Sequence, residues 1–321
     1  MRRSLVLLSS STVLAAVLTA CGGASRPAGA TPSPPAATAA STTPMTPMTP
    51  MTPGSTATAR AAGPRVTKAI VFMVENHSLA EMRAGMPRTY AFATQHAYAT
   101  DYTAIRHPSL PNYIAIAAGS TLGITDDADP TVHRLRGNTV FRQAHRHGRT
   151  AKVYADAMPG HCALTNHGEY AVRHNPWAYF VTDRAACRKH DVPATRLAHD
   201  AAAGTLPNVG FVIPDVVHDA HDGTLAQADD WISARIAALT SGPDWTSGRL
   251  AIVVTADEDD GRHGNRVLTV VATHDQRPRV VSSPLSHYSL TGFLDDVVGA
   301  KHLRRARTAP SLARAFGLRV D

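Results

Sequence analysis

Short runs of consecutive apolar residues recur along the chain from residue 66 onward, with polar segments between them. Runs without polar alternation are typical of strands that are buried on both faces of a parallel sheet. Apolar residues at helical spacing between several of the runs predict helices. The predicted strands span residues 68–74, 151–155, 209–213, 250–255 and 267–273, and the predicted helices span 139–147, 226–239 and 289–298. This alternation predicts an α/β fold with a mainly parallel central sheet flanked by helices.

The N-terminal segment has the pattern of an export signal. Arg2 and Arg3 precede an apolar stretch over residues 5–18, which predicts a signal peptide over residues 1–20 and is too short for a transmembrane helix. Cys21 follows small residues and precedes two glycines, which resembles the lipobox of bacterial lipoproteins. The resemblance implies cleavage before Cys21 and lipid attachment to it. An ordinary signal peptide with an incidental cysteine is the alternative.

The composition of residues 21–64 predicts a disordered tether between the lipidated cysteine and one folded domain over residues 65–321. Ala, Thr, Pro, Ser and Gly dominate the segment, and the first acidic residue of the chain is Glu75. Such a composition cannot bury enough apolar surface to fold. We therefore expect an exported protein that is lipid-anchored to the outer face of the bacterial cell membrane.

Composition and charge exclude a fully disordered chain and do not predict nucleic-acid binding. Hydrophobic residues make up 44% of the chain, which is enough to form a buried core. The 32 Lys and Arg exceed the 25 Asp and Glu and give a net charge of +7, but no five like charges follow one another. Scattered charge of this kind is typical of a solvated surface.

Cys162 and Cys187 are the two cysteines that remain after Cys21, so only one intramolecular pairing is open to them. A disulfide is expected in an oxidising compartment, and two buried free thiols are the alternative. Closing this loop should stabilise the fold by about 3–4 kcal/mol.

Polar residues with catalytic chemistry follow three of the predicted strands. Glu75 and Asn76 follow the first strand, Asp215 follows the third, and Asp257 and Glu258 follow the fourth. Ligands of open α/β sheets bind outside the carboxyl ends of the strands, so these side chains can converge. Their hard oxygens suit Mg²⁺, Ca²⁺ or Mn²⁺, whereas helix capping and ion pairs with arginine are the alternative.

Ser109 is a candidate nucleophile. It lies between Pro108 and Pro111, which stiffen the chain, and shortly before a predicted helix start at residue 114. A hydroxyl at a helix N-terminus meets oriented backbone N–H groups, which suits a phosphate. A helix-capping serine is an equally good interpretation of the spacing alone.

Six motifs resemble those of the bacterial phosphoesterase family that contains phospholipases C and acid phosphatases, and they follow one another in the same order as in that family. Together they extend from the first predicted strand to about residue 300 and cover nearly all of the predicted domain. The motifs are Glu75-Asn76-His77-Ser78, residues 107–113 around Ser109, Arg173-His174-Asn175-Pro176-Trp177, residues 218–223, residues 255–261 and residues 286–290.

The resemblance implies an alkaline-phosphatase-like α/β fold and metal-assisted hydrolysis of phosphoesters. One divalent cation, with Mg²⁺, Ca²⁺ or Mn²⁺ favoured and Zn²⁺ as an alternative, would be held by Glu75, Asn76, Ser109, Asp257 and Glu258. Ser109 would also be the nucleophile, and water would hydrolyse the phosphoserine that it forms.

The same resemblance assigns further residues to the substrate. Asn112 is expected to bind a phosphate oxygen. The candidates for phosphate binding or for protonation of the leaving group are His107, His174, His221 and His287. In a related two-metal pattern, Asp215, His221 and His287 would hold a second ion, although the residues after the first and fourth strands depart from that pattern.

We therefore expect a lipid-anchored, metal-dependent phosphoesterase that hydrolyses phosphate mono- or diesters, with an acid-phosphatase-like activity favoured. A phospholipase C that acts on phospholipid headgroups is one alternative. A surface lipoprotein that binds the same ligands without turnover is another.

We expect the substitution Cys21→Ser to release the protein from the membrane fraction, because it removes the thiol to which lipid would be attached. Turnover of a chromogenic phosphoester should be unchanged, since the predicted tether separates Cys21 from the predicted domain. Cell fractionation and immunoblotting against the wild-type chain measure the distribution. Unchanged membrane retention of the variant would contradict lipid anchoring.

Overall fold

An eight-stranded sheet is the core of the computed structural model, which describes residues 65–320. The strands are β1 (Lys68–Val74), β2 (Ala97–Ala99), β3 (Tyr102–Thr103), β4 (Ala151–Ala155), β5 (Asp191–Pro193), β6 (Val209–Ile213), β7 (Leu250–Ala256), β8 (Thr269–Ala272), β9 (Arg279–Val281) and β10 (Leu285–Ser286). The predicted signal peptide, Cys21 and the predicted tether lie outside the described residues. Within residues 65–320, no helix is both long and apolar enough to cross a membrane.

The strand order of the sheet is β5-β4-β6-β1-β7-β8-β2-β9, and β3 pairs separately with β10. Every neighbouring pair in the sheet is parallel except those of β8, which is antiparallel to β7 and to β2. β1 lies between β6 and β7, and its residues 69–74 are fully buried. An unbroken apolar run is what such a central parallel strand requires.

Nine of the ten α-helices within residues 65–320 pack into two groups, and α5 (Arg184–His190) packs on β4 and β5. The ten helices are α1 (Leu79–Gly85), α2 (Pro87–Gln95), α3 (Ser109–Ala118), α4 (Val140–Arg146), α5 (Arg184–His190), α6 (Arg196–Ala202), α7 (Leu225–Thr240), α8 (Pro243–Thr246), α9 (His287–Val297) and α10 (Leu312–Phe316). α3, α4 and α9 contact one another, and α10 packs on α9. α1, α2, α6 and α8 pack around α7, the longest helix.

The five predicted strands and three predicted helices are all confirmed, with small shifts of their ends. The predicted strand 267–273 shortens to β8, and the predicted helices 139–147, 226–239 and 289–298 become α4, α7 and α9. Three edge or near-edge strands of three residues each, β2, β5 and β9, were not predicted. Runs this short carry no periodicity that sequence analysis can detect.

Both ends of the described chain lie at the amino ends of the parallel strands. The Val66 N–H donates to the Arg319 carbonyl oxygen (2.7 Å), and Lys68 forms an ion pair with Asp244 (2.7 Å). The carboxyl end of β1 is about 20 Å away along a strand of seven residues. The predicted site at the carboxyl ends is therefore remote from the point where the described chain begins.

The predicted disulfide between Cys162 and Cys187 is confirmed. Cys187 lies in α5, and its sulfur is 3.9 Å from the buried carboxylate of Asp191, the first residue of β5. Asp191 in turn accepts a hydrogen bond from the Asn175 side chain (2.8 Å). Because Asn175 follows His174 in the chain, the bridge braces the segment that carries this histidine.

We expect the double substitution Cys162→Ser, Cys187→Ser to lower the free energy of unfolding by about 3 kcal/mol, because the open loop gains freedom in the unfolded chain. Urea unfolding of the oxidised wild type and the variant measures the difference. The reduced wild type is the matched control and should behave like the variant. Equal unfolding free energies of all three proteins would contradict the prediction.

Candidate active site

The register between β1 and β7 brings Glu75 next to Asp257. Val74 pairs with Ala256, so the next residue of each strand lies at the same edge of the sheet. The Asp257 N–H donates to the Val74 carbonyl oxygen (3.0 Å) and extends the ladder by one bond. Both acidic side chains are fully buried and contact each other.

Asp257 has one carboxylate oxygen with protein partners and one without. Its Oδ1 accepts hydrogen bonds from the backbone N–H groups of Asn76 (3.1 Å) and Glu258 (2.7 Å). Its Oδ2 is buried and has no hydrogen-bond partner among residues 65–320. A divalent cation would satisfy this oxygen and offset the repulsion between neighbouring carboxylates. The donor set therefore fits a hard metal ion.

The carboxyl groups perturb one another strongly. Burial raises the pKa of Asp257 well above its usual value, and the charges of Glu75 and Glu258 raise it further. Burial and the charge of Glu75 likewise raise the pKa of Glu258. Burial acts in the same direction on Glu75, but the neighbouring His174 outweighs it and holds the Glu75 pKa below its usual value. A bound cation would favour the ionised form of all three carboxyl groups.

Contacts link several of the predicted metal ligands, whereas Asp257 and Glu258 belong to no group of three or more close metal-ligating side chains within residues 65–320. Asn76 has a positive φ of 58°, and its Nδ2 lies 3.4 Å from Glu75 Oε1. Glu258 is buried and follows Asp257 directly. With Ser109, these residues form one cluster at the carboxyl ends of β1 and β7.

Ser109 is the first residue of α3, and its hydroxyl donates a hydrogen bond to Glu75 Oε1 (2.5 Å). This hydroxyl does not cap the helix, because Pro108 occupies the N-cap position. Asp127 instead accepts the hydrogen bond of the Leu110 N–H (2.8 Å) in the first turn. The geometry thus favours the nucleophile interpretation over the capping interpretation.

His174 is buried between two carboxylates. Its Nε2 lies 3.2 Å from Glu75 Oε1, and its Nδ1 lies 2.9 Å from Asp219 Oδ2. Its ring stacks on the ring of Tyr113, with centroids 5.1 Å apart and an interplanar angle of 13°. Burial alone would lower the pKa of His174, but the charge of Glu75 and the bond to Asp219 raise it above its usual value.

Two other candidate histidines reach solvent beside the cluster. The His107 side chain is 44% exposed, and its ring nitrogens contact Glu258 (3.2 Å) and Asp259 (3.1 Å). The His221 side chain is 35% exposed, and its ring centroid lies 6.4 Å from that of His174. These two histidines therefore border the buried cluster on its solvent side, which we call the mouth of the site.

Asn112 braces the nucleophile segment, which corrects the expectation that it binds a phosphate oxygen. Its Oδ1 accepts hydrogen bonds from the N–H groups of Ile105 (2.9 Å) and Arg106 (3.2 Å). Its Nδ2 donates to the Arg106 carbonyl oxygen (2.6 Å) and to Glu258 Oε2 (3.0 Å). The buried amide has no hydrogen-bonding capacity left for a ligand.

His287 supports Asp257 from the interior, which corrects the expectation that it acts on the substrate. Its Nε2 bonds to the Asp257 carbonyl oxygen (2.6 Å), and its Nδ1 bonds to the Tyr102 hydroxyl (3.0 Å). Burial lowers the pKa of His287 to about 4, so the ring is neutral. Neither ring nitrogen is free to bind phosphate or to protonate a leaving group.

The residues predicted for a second metal ion do not come together. Asp215 accepts hydrogen bonds from the backbone N–H and the ring Nδ1 of His218 (both 2.9 Å). With Asp156, these two residues form a separate group of close metal-ligating side chains. His221 and His287 belong to no group of three or more close metal-ligating side chains within residues 65–320. The arrangement of Asp215, His221 and His287 around one ion is therefore not formed.

Three buried side chains of the site were not assigned from the sequence. Asp219 lies in the acidic and histidine-rich segment 218–222, and Tyr113 follows Asn112 in the nucleophile motif. Membership in these motifs was the available signal for both residues. Tyr102 carried no signal, because a single aromatic residue at a strand end is typical of any core.

Comparison with known proteins gives a family and two kinds of relative. Residues 77–301 match the model of the Phosphoesterase family. The chain is 29% identical over 262 residues to the phosphatidylinositol-3-phosphatase of Mycobacterium tuberculosis, which covers 81% of this chain and 86% of that protein. It is 27% identical over 178 residues to the phosphate-repressible acid phosphatase of Penicillium chrysogenum, covering 53% of this chain and 43% of that protein. The chain thus matches less than half of the fungal enzyme.

Solved structures with a similar fold include a member of the alkaline phosphatase superfamily and a phosphonate monoester hydrolase. A protein of that superfamily from Vibrio parahaemolyticus has a TM-score of 0.54 and 10% identity, covering 79% of this chain and 72% of that one. The phosphonate monoester hydrolase of Silicibacter pomeroyi has a TM-score of 0.52 and 12% identity, covering 78% and 77%. These similarities confirm the predicted alkaline-phosphatase-like fold.

We expect the substitution Asp257→Asn to weaken the binding of Mn²⁺ by at least about tenfold, because it removes a charged ligand from the cluster. Titration calorimetry with Mn²⁺ and elemental analysis of the purified protein measure the effect. Hydrolysis of phosphoesters should be lost together with the metal.

Asp229→Asn is the matched control for this prediction. Asp229 is also buried and accepts backbone hydrogen bonds, from Arg88 (2.9 Å) and Thr89 (2.8 Å), but it lies on α7. Its replacement should lower stability and leave the metal content unchanged. Equal Mn²⁺ affinity of the wild type and Asp257→Asn would remove Asp257 from the ligand set.

Proposed function

The chain belongs to the Phosphoesterase family and hydrolyses phosphoric esters, and from this premise we propose that it acts on phosphate monoesters with Ser109 as the nucleophile. The observation that carries this proposal is the 2.5 Å hydrogen bond from the Ser109 hydroxyl to Glu75 within a buried cluster of carboxylates. A hydroxyl that already donates to a carboxylate can lose its proton as it attacks phosphorus.

In the proposed reaction, the Ser109 oxygen bonds to phosphorus, its proton passes to Glu75, and the bond from phosphorus to the leaving alcohol breaks. The leaving oxygen takes a proton from His107 or His221. Water then attacks the phosphorus of the phosphoserine and returns a proton to that histidine. The Ser109 oxygen leaves and recovers its proton from Glu75, and inorganic phosphate is released. Splitting one displacement into two in this way is the general advantage of covalent catalysis.

A divalent cation held by Glu75, Asp257 and Glu258, with Asn76 and Ser109 beside it, is part of the proposal. When bound, it would supply positive charge that lowers the pKa of the serine hydroxyl and offsets charge on the phosphoryl oxygens. The buried Asp257 Oδ2 without a partner supports such an ion. The hard oxygen donors favour Mg²⁺, Ca²⁺ or Mn²⁺ over Zn²⁺.

The candidate histidines differ in burial, and their proposed roles differ accordingly. The leaving oxygen departs on the side of phosphorus opposite to the nucleophile, which is the mouth of the site. His107 and His221 border the mouth and are the proposed proton donors to the leaving group. His174 is buried against Glu75 and acts through that carboxylate.

The relatives favour phosphate monoesters as substrates. The relative that aligns over most of its length is a phosphatidylinositol-3-phosphatase, and the fungal relatives are acid phosphatases. These names denote removal of a phosphate group, which favours monoesterase activity over phospholipase C activity and over binding without turnover. A phosphoinositide monophosphate is a second candidate substrate beside small soluble monoesters, because of the long alignment with the first relative.

Export and lipid anchoring through Cys21 remain part of the proposal and are supported by the sequence alone. The described chain begins at the amino ends of the strands, whereas the carboxylate cluster lies at their carboxyl ends.

We expect Ser109→Ala to reduce kcat for p-nitrophenyl phosphate on the order of 10³-fold or more, because the proposed nucleophile is removed. The protein should remain folded, since the hydroxyl does not cap α3. Steady-state kinetics with saturating Mn²⁺ and thermal unfolding measure the two effects. Wild-type turnover of bis(p-nitrophenyl) phosphate should be slower than that of the monoester.

Ser311→Ala is the matched control for the serine substitution. Ser311 is the N-cap of α10 and accepts a hydrogen bond from the Arg314 N–H (3.2 Å). Its loss should cost about 1 kcal/mol of stability and leave kcat unchanged. Near-wild-type turnover by folded Ser109→Ala would refute the serine nucleophile, and faster hydrolysis of the diester would favour the phospholipase C alternative.

A further inference from the structure

We infer that Asp219 is a positioning residue, which fixes the ring of His174 and through it holds Glu75 against the Ser109 hydroxyl. The inference rests on the proposed function in one respect only, namely that Glu75 accepts the proton of the Ser109 hydroxyl. It assigns a role to a buried aspartate that lies in the motif over residues 218–223 but has no part in the proposed reaction.

A continuous chain of contacts links Asp219 to the nucleophile. Asp219 Oδ2 is 2.9 Å from His174 Nδ1, and His174 Nε2 is 3.2 Å from Glu75 Oε1. The same oxygen of Glu75 accepts the hydrogen bond from Ser109 (2.5 Å). A movement of the imidazole would therefore change the position of the oxygen that receives the serine proton.

Asp219 is itself held rigidly. Its backbone carbonyl oxygen accepts the Glu75 N–H (2.8 Å), and its backbone N–H donates to the Asp215 carbonyl oxygen (2.9 Å). Its Oδ1 accepts the His221 N–H (2.8 Å). Its side chain is fully buried. The aspartate is thus tied through the backbone to the residue whose carboxylate it helps to position.

Asp219 restricts the one rotation of the His174 ring that its stacking leaves open. Stacking on Tyr113 fixes the plane of the ring, but the ring can still turn over about its Cβ–Cγ bond and return to the same plane. The contacts at Nδ1 and Nε2 select one of the two orientations. The His221 N–H and the His174 ring meet different oxygens of Asp219, and an amide at position 219 would present an NH2 donor in place of one of these acceptors.

Another buried aspartate provides a matched control. Asp244 is also buried and bonded to a basic side chain, Lys68 (2.7 Å), but at the amino ends of the strands. If Asp219 were only a structural partner of a buried cation, Asp219→Asn and Asp244→Asn would affect the protein alike.

We expect Asp219→Asn to lower kcat for p-nitrophenyl phosphate about 10–100-fold with KM changed less than about twofold, as is typical of residues that orient a catalytic ligand. Asp244→Asn should lower the melting temperature by a similar amount and leave kcat unchanged. Both are measured at saturating Mn²⁺. An unchanged kcat in folded Asp219→Asn, or an equal loss of kcat in both variants, would overturn the inference.

A double-mutant cycle with His174→Gln tests whether Asp219 acts through His174. In the His174→Gln background, Asp219→Asn should cause no further loss of kcat, because the ring that it positions is gone. Independent, multiplied losses would overturn the inference. The cycle compares the rates of variants that all retain Ser109, so its result does not depend on which group is the nucleophile. Turnover by Ser109→Ala would therefore refute the proposed function but leave the result of the cycle unchanged.

Nuclear magnetic resonance of the wild-type protein tests the geometry if Asp219→Asn fails to fold. With ¹⁵N-labelled histidine, the His174 ring N–H at Nδ1 should be protected from exchange with water, because it is buried and lies 2.9 Å from Asp219 Oδ2. Loss of the signal in His174→Gln assigns it. A His174 ring proton that exchanges as fast as those of exposed histidines would overturn the inference.

Discussion

The burial of several carboxylates in one place is the constraint on which the functional end of the molecule depends. Glu75, Asp219, Asp257 and Glu258 are all withdrawn from water, and a buried ionised group is costly unless it is paired or bound to a cation. His174 lies between the first two, and backbone N–H groups bond one oxygen of Asp257. These contacts leave part of the negative charge of the carboxylates uncompensated, and this remaining charge is the reason to expect a divalent cation.

The sheet makes this concentration of charge possible. Because β1 and β7 are parallel neighbours in register, their next residues are placed side by side without any long loop. Backbone hydrogen bonds continue past the strand ends and hold the acidic residues in place. The proposed nucleophile comes from α3 and the buried histidine from a segment braced by the disulfide, so rigid elements surround the cluster.

The parts of this structure that follow from local pattern could be predicted from the sequence, and the parts that follow from tertiary contact could not. Long apolar runs specified β1, β4 and β6 to the residue, whereas β2 and β5 are too short to show a pattern. The convergence of Glu75 and Asp257 followed from the rule that parallel strands end at one edge. No such rule distinguishes His107 from His287, because only the packing of α9 buries His287 behind Asp257.

The contrast between the interior and the mouth bears on how a phosphate could enter this site. Of the four buried carboxylates, only Glu75 and Asp219 contact the buried imidazole of His174, and a phosphate monoester would bring further negative charge to the cluster. Coulombic repulsion would exclude such a substrate unless positive charge were supplied from two directions. A cation among the carboxylates would supply it from within, and the exposed imidazoles of His107 and His221 are the basic groups on the solvent side. Substrate binding should therefore depend on the metal and the mouth histidines together, whereas the order of the interior depends on His174.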